Sequence, residues 1–164
     1  MLINNEQGVT LVEAIAVFVL TTIAFLIIYP ALFGGIKSYE NVHAQALIRD
    51  EADYVMAQIL NELYPIPANK VAYLEDKKAL EIREDTSAPY LIECDSDGNI
   101  KIGSTILNES SFDFIGSTFE EVDSNDNYAK IYEINLVIQH RSFPHQKPLT
   151  LISEIQLIAS TEGS

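Results

Sequence analysis

The sequence predicts an α+β fold: a long N-terminal helix, half transmembrane and half amphipathic, packed on a C-terminal antiparallel β-sheet. Three observations predict it. Residues 14–36 contain no Asp, Glu, Lys or Arg. Ala44, Ile48, Ala52, Val55, Ile59 and Leu63 then recur at spacings of three and four, which is one face of a helix. Beyond residue 79, short runs alternate apolar and polar side chains with the period of half-buried strands.

The apolar run comes first. At a rise of about 1.5 Å per residue, residues 14–36 are long enough to cross a hydrocarbon core of roughly 30 Å. The run is longer than the apolar region of a cleaved secretory signal. No Lys or Arg precedes it and no small-x-small cut site follows, so it reads as an anchor. Lys37 and Arg49 lie beyond it, and charge counting alone does not place the C-terminal segment outside the cell.

The helical signal continues over residues 37–64 with a single apolar stripe, until Pro65 and Pro67 stop it. If the two parts are continuous, residues 9–64 make one rod of roughly 84 Å. The stripe requires a partner surface, and the segment 65–164 supplies strands. Residues 79–83 alternate. Residues 90–94 and 99–102 flank Asp95-Ser96-Asp97-Gly98 and read as a hairpin with an Asp-Gly turn. Phe112 and Phe114 alternate with Asp113. Tyr132, Ile134, Leu136 and Ile138 share one face of a long strand, and Leu149, Leu151, Ile155 and Leu157 share one face of the last. The connection between these two, with Pro144, predicts a terminal hairpin. Residues 70–78 and 120–128 read as loops.

Composition excludes some functions. The formal net charge is −14, and residues 37–164 hold 22 of the 24 acidic side chains against all 10 basic ones. Direct nucleic-acid binding needs a positive field, which this segment lacks. Cys94 is the single cysteine, so no intramolecular disulfide braces the fold.

One short motif carries more. The string "GVTLVEA" over residues 8–14 resembles the processing motif of type IV prepilins and pseudopilins, usually Gly-Phe-Thr-Leu-Ile-Glu. Gly8 ends the leader, residues 1–8. Val9 stands where the family has Phe, Val12 replaces Ile, and Thr10, Leu11 and Glu13 follow the pattern. Pro30 corresponds to a proline that many pilins carry late in the span. The leader lacks the family's basic residues.

The resemblance implies a set of expectations. A prepilin peptidase cuts between Gly8 and Val9 and methylates the new amine of Val9. The chain is a single-pass membrane protein with its C-terminal domain extracytoplasmic. A membrane assembly platform then builds it, with other pilin or pseudopilin subunits, into a periplasmic or cell-surface filament. The acidic domain and the missing cysteine pair point to a minor subunit of a pilus or of a type II secretion or competence pseudopilus. A major pilin serving adhesion or motility is one alternative. An uncleaved single-span protein whose outer domain binds a ligand is another.

Glu13 is the sharpest feature, because a carboxylate in lipid costs a few kcal/mol and marks a partner. It can snorkel to the headgroups. After a cut at Gly8 it can instead meet the Val9 ammonium, either within its own helix at the i, i+4 spacing or on a neighbouring subunit. Only the resemblance favours the neighbour. Pro30 removes a helical hydrogen bond. It reads either as a tolerated membrane-helix proline or, with Gly34-Gly35, as a point where the spine melts during assembly.

The remaining polar groups carry less. Residues 95–99 and 120–127 hold hard oxygen ligands without the spacing of a calcium loop, and turn chemistry accounts for them. His43, His140 and His145 have no zinc spacing. Cys94 has no neighbouring base to activate it, and no carboxylate pair sits in a catalytic motif. The sequence predicts no metal, no cofactor and no enzyme.

Overall fold

Alternation and periodicity translate into one α-helix, one short 3-10 turn (Ala68–Lys70) and nine strands among the described residues of the computed structural model, which are 10–84, 88–122, 129–143 and 146–159. The helix α1 runs from Leu11 to Leu63, one residue short of the predicted stop before Pro65. The chain divides into two units between Val42 and His43, inside α1.

In the first unit every described side chain is exposed, including Leu11, Phe18, Phe25 and Leu26. A helix apolar all round cannot hold this surface in water, so it needs lipid or other helices. By length and composition it is able to cross a membrane. Its hydroxyls fit that setting. Thr21 donates to the Val17 carbonyl at 2.6 Å and Thr22 to the Phe18 carbonyl at 2.8 Å, so neither faces hydrocarbon unpaired. The helix continues through Pro30 and Gly34-Gly35 without a break.

The second unit has a core of its own. The predicted stripe, Ala44 to Leu63, is buried at all six positions, and Met56 joins it. Strands cover it in two antiparallel sheets, a division that the alternating pattern does not carry. The first is a meander of β1 (Val71–Leu74), β2 (Ala79–Ile82), β3 (Tyr90–Cys94), β4 (Ile100–Ile102) and β5 (Thr105–Ile106). In the second, the long β8 (Ala129–His140) takes β6 (Phe112–Asp113) and β7 (Thr118–Val122) along its length and β9 (Leu149–Ile158) as a full-length partner. The terminal hairpin β8–β9 forms as expected, with Leu136 opposite Leu151 and Tyr132 opposite Ile155. The β3–β4 hairpin also forms, with Gly98 at φ +77°, a left-handed conformation that favours glycine.

Two loop expectations are corrected. Residues 71–74 of the segment 70–78 form β1, pairing Val71 with Ile82, while residues 75–78 turn and carry Lys78 at φ 49°. Val-Ala-Tyr-Leu shows no polar alternation, because its neighbour strand and not its own period makes it extended. Residues 120–122 extend β7, with Glu120 opposite Glu133, and residues 123–128 lie outside the described residues.

Three polar contacts bind the layers together. Tyr132, fully buried on β8, donates to the Val71 carbonyl on β1 at 3.0 Å. Tyr90 on β3 donates to Glu62 of α1 at 2.6 Å, and burial together with this carboxylate raises its hydroxyl pKa. The Glu109 amide donates to Glu51 of α1 at 2.8 Å.

Cys94 sits half-buried on β3, its thiol donating to the Phe114 carbonyl at 3.2 Å. Burial first, then the nearby Asp95, Asp113 and Glu93 carboxylates, push its pKa up to about 11. Only the thiolate reacts with an alkylating agent. At pH 8 Cys94 is therefore expected to react with iodoacetamide roughly 100-fold more slowly than an ordinary thiol, and to reach the ordinary rate in urea.

Candidate functional site

The start of α1 is built by Thr10. Its carbonyl accepts the first helical hydrogen bond, from Ala14 at 3.0 Å, and its hydroxyl accepts the Glu13 amide at 3.3 Å. Thr10 is thus the N-cap and Glu13 the third helical residue. Thr10-Leu11-Val12-Glu13 has the Ser/Thr-x-x-Glu form of a capping box, a signal in the sequence that the membrane argument for Glu13 leaves unused. A carboxylate in the first turn also meets the positive end of the helix dipole. Glu13 therefore has a local electrostatic reason for its place, independent of any partner.

That place leaves the carboxylate exposed on a helix whose neighbouring side chains are apolar. Gly8 and Val9, the expected cut site and methylation site, lie outside the described residues. Thr10 and Glu13 are brought together, whereas Pro30 stands far along the same helix. Beside Pro30, the Tyr29 and Phe33 rings lie 4.3 Å apart, and Thr22, Phe25 and Leu26 line a shallow apolar hollow.

The acidic turn after β3 resolves differently. One Asp95 oxygen accepts the Asp97 amide at 3.0 Å and the Asn99 amide at 2.8 Å. The other accepts the Asn99 side chain at 3.1 Å and the Lys101 ammonium at 2.6 Å. Both oxygens are occupied by donors, so the turn supplies its own cation. Among the described residues no group of His, Cys, Asp and Glu is arranged to hold a metal ion. His140 packs edge-on to Phe112 at 4.9 Å and its Nδ1 accepts the Ser142 amide, a turn-closing role; His43 is exposed on α1, and His145 lies outside the described residues.

Lys101 and the turn amides hold the Asp95 carboxyl well below the usual carboxylate range, burial opposing them only in part. A depressed carboxyl contributes stability that is complete above the unfolded pKa, about 4, and disappears as pH falls toward the folded one. Asp95→Asn is accordingly expected to melt below the wild type at pH 7, with the difference shrinking steadily below about pH 4. Thermal melts across that range check the sign.

No protein-family model, curated protein or solved structure matches this chain.

Proposed function

We propose that the protein is a structural subunit of a type IV pilus or pseudopilus, a minor one, cut after Gly8, methylated on Val9 and assembled through its N-terminal helix. One observation carries the reading. Glu13, the carboxylate of the prepilin-like motif, stands in the first turn of α1, immediately ahead of residues 14–36, which are exposed and hold no Asp, Glu, Lys or Arg.

The chemistry comes from that placement. Cleavage frees an ammonium on Val9, one helical turn before Glu13. In lipid, an unpaired Glu13 costs a few kcal/mol, and pairing with an ammonium offsets it. A subunit entering a filament in the correct axial register places its carboxylate against a neighbour's amine. A subunit out of register leaves both charges unpaired, so register is selected by electrostatics. The apolar helix bundles with its neighbours as the lipid is left behind. Pro30 and Gly34-Gly35 are the positions at which the helix adapts to that packing. Peptidase, assembly platform and neighbouring subunits are the partners.

Mass spectrometry of the protein isolated from its native membrane tests the processing. The expected mass is lower by roughly 900 Da for residues 1–8 and higher by about 14 Da for the methyl group. A mature chain still beginning at Met1 overturns the proposal and favours the uncleaved single-span alternative.

A further inference from the structure

Among the described residues the strand β9 forms an open edge of its sheet. Its ten residues pair with β8 in one unbroken register from Ala129–Ile158 to Ile138–Leu149. Among the described residues no strand pairs with its other side, and its backbone makes no hydrogen bond outside the β8 ladder. Soluble proteins protect such edges with a proline, a charged side chain, lysine above all, or a bulge. β9, Leu-Thr-Leu-Ile-Ser-Glu-Ile-Gln-Leu-Ile, has no proline, lysine or bulge, and its single charge is Glu154. It keeps Ile152 and Ile158 exposed on its outer face.

A second feature ends at the same edge. Glu120 on β7 lies opposite Glu133 on β8, and Glu133 lies opposite Glu154 on β9. Three carboxylates thus stand side by side across three strands. None has an ion-pair partner among the described residues, where Arg49, Arg83, Lys101 and Lys130 are paired elsewhere. Like charges directly opposite each other destabilise a sheet, so the row is a cost that an added positive charge would relieve. A groove of mixed polar and apolar lining, between Tyr64-Pro65 and Gln156–Ile158, opens at the C-terminal end of the strand.

We propose that β9 accepts an extended strand from another polypeptide, one that places an Arg or Lys beside Glu154. The backbone of the incoming strand satisfies the open amides and carbonyls, and its cation closes the row of carboxylates. A second copy pairing antiparallel through β9 with Glu154 opposite Glu154 is disfavoured, because that register would join two such rows end to end. The inference does not depend on the filament reading.

The test uses the full chain in detergent micelles and two synthetic peptides. Each alternates Thr and Val over nine residues, with a central Arg in one and a central Glu in the other. The Arg peptide is expected to slow hydrogen exchange at alternate amides of β9, and to bind at least about ten-fold more tightly than the Glu peptide. Glu154→Lys is expected to reverse that preference. The substitution sits on an exposed position and removes repulsion, so the fold should tolerate it. Absence of protection by either peptide overturns the proposal, and so does equal binding of both. Protection of β9 that rises with protein concentration, without peptide, also overturns it by making a second copy the occupant.

Discussion

On the proposed filament reading, Glu13→Gln is expected to be cut and methylated like the wild type, yet to be depleted at least about ten-fold from sheared filaments, an effect of about 1.4 kcal/mol or more. Glutamine serves as well as glutamate at the third position of a capping box, so the helix start survives. What is lost is the charge. If the carboxylate only snorkels, or only supports its own helix terminus, the glutamine variant assembles normally and the register argument fails. Thr10→Ala is the control that separates the two roles. It removes the hydroxyl that accepts the Glu13 amide while keeping the charge, and caps of this kind are worth about 1 kcal/mol. It should fray the first turn without matching the depletion caused by Glu13→Gln. Quantifying each variant in the membrane and filament fractions, with its mass, gives processing and incorporation separately.

The second large effect is expected at Tyr132. The side chain is fully buried, and its hydroxyl crosses from β8 to the Val71 carbonyl of β1. Tyr132→Ala removes a ring from a close-packed interior, at an expected cost of about 3–5 kcal/mol. Against a total stability of about 5–15 kcal/mol for a domain, that is enough to unfold much of it at growth temperature. Tyr132→Phe keeps the ring and leaves the Val71 carbonyl buried without its donor, at an expected cost of about 1–3 kcal/mol. Denaturant melts of the three proteins divide packing from the hydrogen bond. A Phe variant as stable as the wild type would show that the two sheets are joined by packing alone.

Much of the fold is legible in the sequence. Each long element announces itself by its period. The stripe from Ala44 to Leu63 can be named residue by residue and is buried throughout, because a helix repeats every 3.6 residues whatever it packs against. The faces of β8 and β9 come from strict alternation, and the β3–β4 turn from Asp-Gly chemistry. Short strands are less legible. Val71–Leu74 is extended because β2 lies beside it, and Thr105–Ile106 and Phe112–Asp113 are too brief to show a period. At the candidate site the capping box is present in the letters, but a carboxylate beside an apolar run is the more conspicuous signal and hides it.

The sequence by itself determined which residues are apolar, how they repeat, where a glycine or proline interrupts them, and that one carboxylate sits just ahead of residues 14–36, which carry no charge. These are properties of neighbours along the chain, set by backbone geometry over a few residues. Only the tertiary structure decided that the strands divide into two sheets, that Tyr132 bridges them, and that Lys101 pairs with Asp95. It alone aligned Glu120, Glu133 and Glu154 and, among the described residues, left β9 open on one side. Those are relations between residues far apart in sequence. Register and sheet order arise from which surfaces bury each other, and no local period encodes that choice.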